Sequence, residues 1–177
     1  MRKQIIPILT LVIMLSIMIG CGKQTAEQMF SVAENLEKEE KYQDALVKFE
    51  KILVVHPNTP LAPEIYFKIA QLTGTLKKFE NCVDAYAQIV KLAPGHQNAP
   101  KAQFMIGYIY ANELKNTEKA REAYTAFIEK YSAIDSGMTA SAEFELKFLG
   151  KDISEIDFLK NLTSEETAPP ETKAKGN

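Results

Sequence analysis

The chain has 177 residues, 46 % of them hydrophobic and 25 % charged, and carries a formal net charge of −2. This length supplies one ordinary domain with its own core. The mildly acidic balance argues against nucleic acid as a partner.

Arg2 and Lys3 are followed by an almost unbroken apolar run over residues 5–19, then by Gly20 and Cys21. A basic start, a short apolar stretch and a small residue before the cut form the pattern of a secretory signal peptide. The run is about 15 residues long, short of the ~20 that span a bilayer comfortably. With the cysteine directly after the small residue, Met18-Ile19-Gly20-Cys21 resembles the lipobox of bacterial lipoproteins, with Met where Leu is commoner. That resemblance implies cleavage before Cys21, a diacylglycerol on its thiol and acylation of the new amine. An ordinary signal peptide, or an uncleaved anchor with an incidental Cys, is the alternative. Two or more acyl chains give a stable anchor where one holds only marginally. Gly22, where retained inner-membrane lipoproteins have Asp, resembles the default sorting to the outer membrane in Gram-negative bacteria. Residues 1–20 are thus expected to be a cleaved leader and 21–24 a lipidated Cys with a short linker. Losing Arg2 and Lys3 takes the net charge from −2 to −4 and leaves Cys82 without a disulfide partner.

Shifted by 37 residues, the following sequence superposes on itself. Val32-Ala33, Ile69-Ala70 and Ile106-Gly107 align, as do Phe30, Phe67 and Phe104. Ala45, Cys82 and Ala120 align downstream, then Phe49, Tyr86 and Tyr124, then Ile52, Ile89 and Phe127, with one extra residue in the third copy. Self-similarity at this period signals a stacked repeat protein. Each unit reads as two helices, the first with Met29, Val32, Ala33 and Leu36 at helical spacing, the second with Ala45, Phe49, Ile52 and Leu53, or Cys82, Tyr86, Ile89 and Val90. Thr25-x-x-Gln28 forms a capping box, Asn98 precedes Pro100 at a helix start, and Pro57 and Pro94 follow second helices. Small residues at 33, 70 and 107, and at 45, 82 and 120, fall where two helices cross closely. Cys82 is therefore read as a buried small hydrophobe.

Small-residue pairs, then Ala-x-x-x-Phe, then Pro resemble the tetratricopeptide repeat, TPR. The first unit carries Met29, Val32-Ala33, Leu36, Ala45, Phe49 and Pro57; the second Tyr66, Ile69-Ala70, Thr73, Cys82, Tyr86 and Pro94; the third Ile106-Gly107, Tyr110, Ala120 and Tyr124. Thr73 replaces the usual aromatic, Gln103 a bulky residue and Ser132 the expected Pro. The long connection at residues 58–63 and the stretch at 103–110 are similar to TPR lipoproteins and periplasmic TPR proteins of the bacterial envelope. These include the TPR lipoprotein of the outer-membrane barrel assembly machinery and the Tol-Pal TPR coordinator. The resemblance implies an all-α, right-handed TPR solenoid of about three helix pairs (25–57, 62–94 and 99–132) plus a C-terminal capping helix. Met138, Ala142, Leu146 and Leu149 supply the apolar stripe of that cap, with Gly150 as its stop. Ile153, Ile156, Phe158 and Leu159 extend the capping region to a short final turn or helix, over 136–160 in all. Residues 163–177 hold nothing able to bury a core and read as a disordered tail. Asn161-Leu162-Thr163 matches a glycosylation acceptor that a bacterial lipobox makes incidental.

No phosphate loop, zinc motif, nucleophile elbow or Cys-x-x-Cys pair is present in the sequence. His56 and His96 sit beside Pro57 and Gly95 as loop residues, and the run at residues 37–40 reads as a solvated helix end. No enzyme activity, cofactor, metal or small-molecule substrate is expected. In TPR proteins the first helix of each pair lines a concave binding side. Phe30, Phe67 and Phe104 form one column there, at the border of the core-facing stripe, with Glu34, Gln71 and Tyr108 one turn on. Two readings stand: phenylalanines buried between repeats, as large aromatics mostly are, or an aromatic strip that captures a peptide or partner helix. Only Gly22, Lys23 and Gln24 separate Cys21 from the cap at Thr25, and four extended steps reach about 13–14 Å. An anchored Cys21 would hold the first repeat against the membrane. The expected protein is a lipid-anchored scaffold that binds envelope proteins, on the periplasmic face of the outer membrane in a Gram-negative cell. Self-association as a structural lipoprotein is a further alternative.

Deleting residues 164–177 is expected to leave the melting temperature unchanged. A thermal melt of the truncated chain checks this, and a drop of several degrees would show that the segment docks.

Overall fold

The computed structural model describes residues 24–151. The leader, the lipobox with Cys21, the final turn, the acceptor at Asn161 and the tail lie outside the described residues. Seven helices fill the described chain: α1 Ala26–Lys38, α2 Tyr42–Val55, α3 Ala62–Thr75, α4 Phe79–Leu92, α5 Ala99–Asn112, α6 Thr117–Tyr131 and α7 Ser136–Phe148. The architecture is the all-helical repeat expected from the sequence, with about three helix pairs and a following helix. The described residues divide into two compact units between Ile65 and Tyr66, with α3 running across the division.

In the first unit, the Thr25 hydroxyl accepts from the Gln28 amide at 3.3 Å and the Thr25 amide donates to the Gln28 side chain at 3.1 Å. This reciprocal pair satisfies two donors that the first turn of α1 would otherwise leave free. Ala26, Met29 and Ala33 on α1 are buried, as are Ala45, Leu46, Phe49 and Ile52 on α2. Val32, expected in the same apolar stripe, is instead 42 % exposed. It lies one residue, about 100° around the helix, from Ala33, outside the arc shared by Ala26, Met29 and Ala33. His56 is a structural tie as well as a loop residue, because its Nε2 sits 2.9 Å from the Gln24 carbonyl and joins the end of α2 to the start of α1.

The turn inside each pair has one recurring device. Glu40, Lys77 and Lys115 have φ of 59°, 56° and 53°, the left-handed conformation that closes many helices. In the first two turns the next amide reaches back to a helix carbonyl, Lys41 to Leu36 at 2.9 Å and Lys78 to Thr73 at 2.8 Å. The third turn spans 113–116 and holds one residue more, with Asn116 donating to Tyr110 at 2.7 Å. The single irregularity in the repeat register therefore falls in a turn and not in a helix.

In the second unit α5 packs on α4 and α6, and α7 on α6. Ala70 and Cys82, and Gly107 and Ala120, are buried at the small-residue positions. At Gly107 a Cβ would lie 2.7 Å from Tyr124 Cδ1, so only glycine fits without a shift. The departures from the repeat pattern are absorbed locally. Thr73 is buried with its hydroxyl donating to the Ile69 carbonyl at 2.7 Å, and Gln103 donates to the Ala123 carbonyl at 2.9 Å. α7 is capped by Asp135, which accepts from the Met138 amide at 2.8 Å. Ala142 is its buried residue, and Gly150, at φ 81°, follows the end of the helix.

Gly107→Leu is expected to destabilise by about 1–3 kcal/mol through overpacking against Tyr124, and Ala45→Leu similarly, whereas Cys82→Ala is much milder. Chemical denaturation of the three variants checks this; wild-type midpoints for both leucine variants would mean that the small residues do not set the helix crossings.

Candidate functional site

The aromatic column is neither buried nor free. Phe30, Phe67 and Phe104 are all partly exposed, which falls between the two readings. Each ring instead stands edge-on against the second-helix aromatic of its own repeat. The centroids lie 5.2 Å apart for Phe30–Phe49, 5.8 Å for Phe67–Tyr86 and 5.4 Å for Phe104–Tyr124, with interplanar angles of 71°, 69° and 61°. Edge-to-face geometry places the positive rim of one ring at the negative face of the other. One side of each phenylalanine is thereby held by its own repeat while part of the ring remains accessible. Each of the three rings thus packs within its own helix pair.

Of the six candidate residues, Phe30 and Glu34 stand together on α1 in the first unit, with Glu34 partly exposed. Phe67 and Gln71 on α3, and Phe104 and Tyr108 on α5, belong to the second, and there Gln71 and Tyr108 face solvent. The two helices of the second unit are linked by a residue that the sequence reading did not select. Lys101, one turn before Phe104, places its ammonium 5.4 Å from the centre of the Phe67 ring. Such a cation–π contact is worth ~0.5–1 kcal/mol at an exposed site. The i, i+3 spacing from Phe104 was the available sign, but nothing in the sequence pairs Lys101 with Phe67. The result is a surface of two aromatic rings, a lysine, an exposed amide and a phenol. It has the mixed apolar and hydrogen-bonding character that suits a peptide or helix face.

Beneath the aromatic rings the chemistry is shielded. The Cys82 thiol donates to the Ala70 carbonyl at 3.0 Å, and burial pushes it up to about 11. Burial likewise raises the phenols of Tyr86 and Tyr124, and the Tyr124 hydroxyl has no hydrogen-bond partner. Tyr131, also absent from the sequence reading, is buried and donates to the Pro94 carbonyl at 3.2 Å. Among the described residues no group of three or more His, Cys, Asp or Glu side chains could hold a metal ion. No described helix is long and apolar enough to cross a membrane. A cleft of about 550 Å³ at the start of α1 includes Thr25, Glu27 and His56 in its lining. Glu27 already places a carboxylate at that helix N-terminus, lowered by its own backbone N–H and by the Thr25 hydroxyl.

The raised Cys82 pKa fixes a pH dependence. The unfolded thiol ionises near 9.0 and the folded one near 11. This contribution is complete below pH 9 and is lost as pH rises through that window, because the unfolded state then releases its proton first. Melts at about pH 8 and about pH 10.5 should show a loss on the order of 1–2 kcal/mol that shrinks in Cys82→Ala. Equal losses in both proteins would remove Cys82 as its source.

Residues 63–96 and 101–133 each match a tetratricopeptide repeat family. No curated protein sequence matches the chain. Among solved structures, PcrH from Pseudomonas aeruginosa is 16 % identical with a TM-score of 0.56, over 73 % of this chain and 95 % of that one. A tetratricopeptide repeat protein from Parabacteroides merdae is 17 % identical with a TM-score of 0.58, over 80 % of this chain and 52 % of its own. The chain thus spans about half the length of that relative. A chain from a T3SS complex of Aeromonas hydrophila is 15 % identical with a TM-score of 0.56, over 87 % of this chain and 91 % of that one. At such identities the likeness is one of fold. Residues 63–133 thus carry two tetratricopeptide repeats, and the preceding helix pair, built with the same turn and ring contact, continues them in an all-helical repeat fold.

Proposed function

We propose that this protein is a lipid-anchored scaffold of the bacterial cell envelope that captures a peptide or helix of another protein on its first-helix faces. The observation that carries the binding role is the partly exposed phenylalanine repeated at one position of α1, α3 and α5, each braced from behind by a second-helix ring. A braced ring loses little freedom on binding, which favours its use as an anchor. The envelope address rests on the lipobox-like Met18-Ile19-Gly20-Cys21. It implies attachment through Cys21, at the periplasmic face of the outer membrane in a Gram-negative cell. Within that class, the similarity of residues 103–110 to envelope TPR proteins favours a part in outer-membrane protein assembly or in Tol-Pal-linked envelope maintenance. The groove residues are Phe30, Glu34, Phe67, Gln71, Phe104 and Tyr108.

Phe67→Ala and Tyr108→Ala should weaken partner capture in crosslinking from intact cells, with circular dichroism and membrane attachment unchanged. Cys21→Ser in the same cells should abolish palmitate labelling and cleavage. Identical crosslinked proteins in identical amounts from both aromatic variants would sink the binding face. Unchanged palmitate labelling in the serine variant would sink the anchor.

A further inference from the structure

The first unit turns an apolar face outward. Val47, Val54 and Val55 are 52 %, 80 % and 44 % exposed, and their spacing in α2 places them on one side of the helix with Lys48 and Lys51. The face continues across to α1 through a groove of about 200 Å³ lined by Gln24, Val32, Lys51 and Val55 among others. Three β-branched side chains exposed on one helix form a patch of the kind that marks an interaction surface. Neither Lys48 nor Lys51 has an ion-pair partner among the described residues. Asp44 and Glu50 also lie on the exposed side of α2 and are the acidic groups nearest in sequence to the two lysines.

We infer that the outward face of α2, with Val47, Val54 and Val55 beside Lys48 and Lys51, is a lipid-contact surface that seats the first repeat on an anionic bilayer. Two facts select a membrane as the occupant. Gln24 lines the groove, and only three residue steps separate it from Cys21, a reach of about 10–11 Å. A lipidated Cys21 therefore keeps the Gln24 end of this face within about 10–11 Å of the anchored residue. The charge also matches: valines beside lysines with free ammonium groups pair apolar insertion with attraction to anionic headgroups, the combination that holds peripheral helices at an interface. This surface stands on the anchor reading above, since without a lipid at Cys21 nothing holds the patch at the membrane.

The chain contains no tryptophan, so Val54→Trp introduces a single fluorophore on the patch, with Val47→Trp as a second reporter. Thr125→Trp, at an exposed position of α6, serves as the control. The full chain, purified with its lipid, is reconstituted into vesicles of equal parts phosphatidylcholine with brominated acyl chains and phosphatidylglycerol. The expected result is quenched, blue-shifted emission from the two patch reporters and little quenching of the control. Lys48→Glu with Lys51→Glu, or vesicles lacking phosphatidylglycerol, should reduce patch quenching at least about twofold. The mass of the Cys21 peptide separates the two possible failures. If the acyl mass is present and the patch reporters are unquenched, or quenched no more than the control, the lipid-contact surface is overturned and the anchor stands. If the acyl mass is absent, the anchor reading falls and this surface with it. A concentration-dependent blue shift without vesicles, accompanied by doubled molecular mass, would also overturn it, by assigning the face to a second copy of the chain.

Discussion

A helix pair can close only where the side chains at the crossing are small, and every other feature of each repeat follows from that closeness. Ala33 and Ala45, Ala70 and Cys82, and Gly107 and Ala120 are all buried. At Gly107 the space for even one methyl group is taken by the Tyr124 ring. Once the backbones are this near, a large residue one helical turn away has to stand beside the crossing. The edge-on ring pairs occupy that place in all three repeats. The same proximity lets the Cys82 thiol reach the Ala70 carbonyl, so a slot filled by alanine elsewhere can hold a cysteine without leaving a donor unpaired.

Much of this was legible from spacing alone. Period, helix pairing, the capping box at Thr25 and Gln28, and the stop at Gly150 depend on local chemistry that the sequence carries in full. The exposure of the phenylalanine column was less readable. Phe30 and Phe49 are identifiable as separate repeated positions, but whether one ring covers the other depends on the rotation of two helices about their axes. Val32 shows the same difficulty at smaller scale, because an apolar residue at the edge of a stripe goes in or out by a fraction of a turn. Lys101 over Phe67 was invisible for another reason. It joins two helices through a contact that no repeat alignment contains, and in the preceding copy its position is Glu64. Tyr131 likewise finds its acceptor on the backbone at Pro94, where sequence offers no side chain to pair with.

The division of labour within a repeat gives the proposed binding role its physical footing. The second helix supplies the buried rings Phe49, Tyr86 and Tyr124, and the first, besides its own buried residues, supplies the partly exposed rings that rest on them. A surface aromatic braced in this way can change its outer neighbours without disturbing the crossing beneath. Gln71 and Tyr108 are exposed beside these rings, which leaves hydrogen-bonding groups available for specificity. Repeat scaffolds diverge in what they bind through such positions, while small residues and second-helix aromatics hold the fold.

Glu40, Lys77 and Lys115 bear on how the molecule ages and adapts. Each turn places a side-chained residue in the left-handed region, at a backbone cost of about 1–2 kcal/mol, where glycine would avoid the steric cost and lose more chain entropy. The three turns are thus local reserves of strain, remote in chemistry from both the ring faces and the outward valines. A lineage of this protein could become more heat-resistant by relaxing these turns one at a time, leaving the first-helix rings untouched.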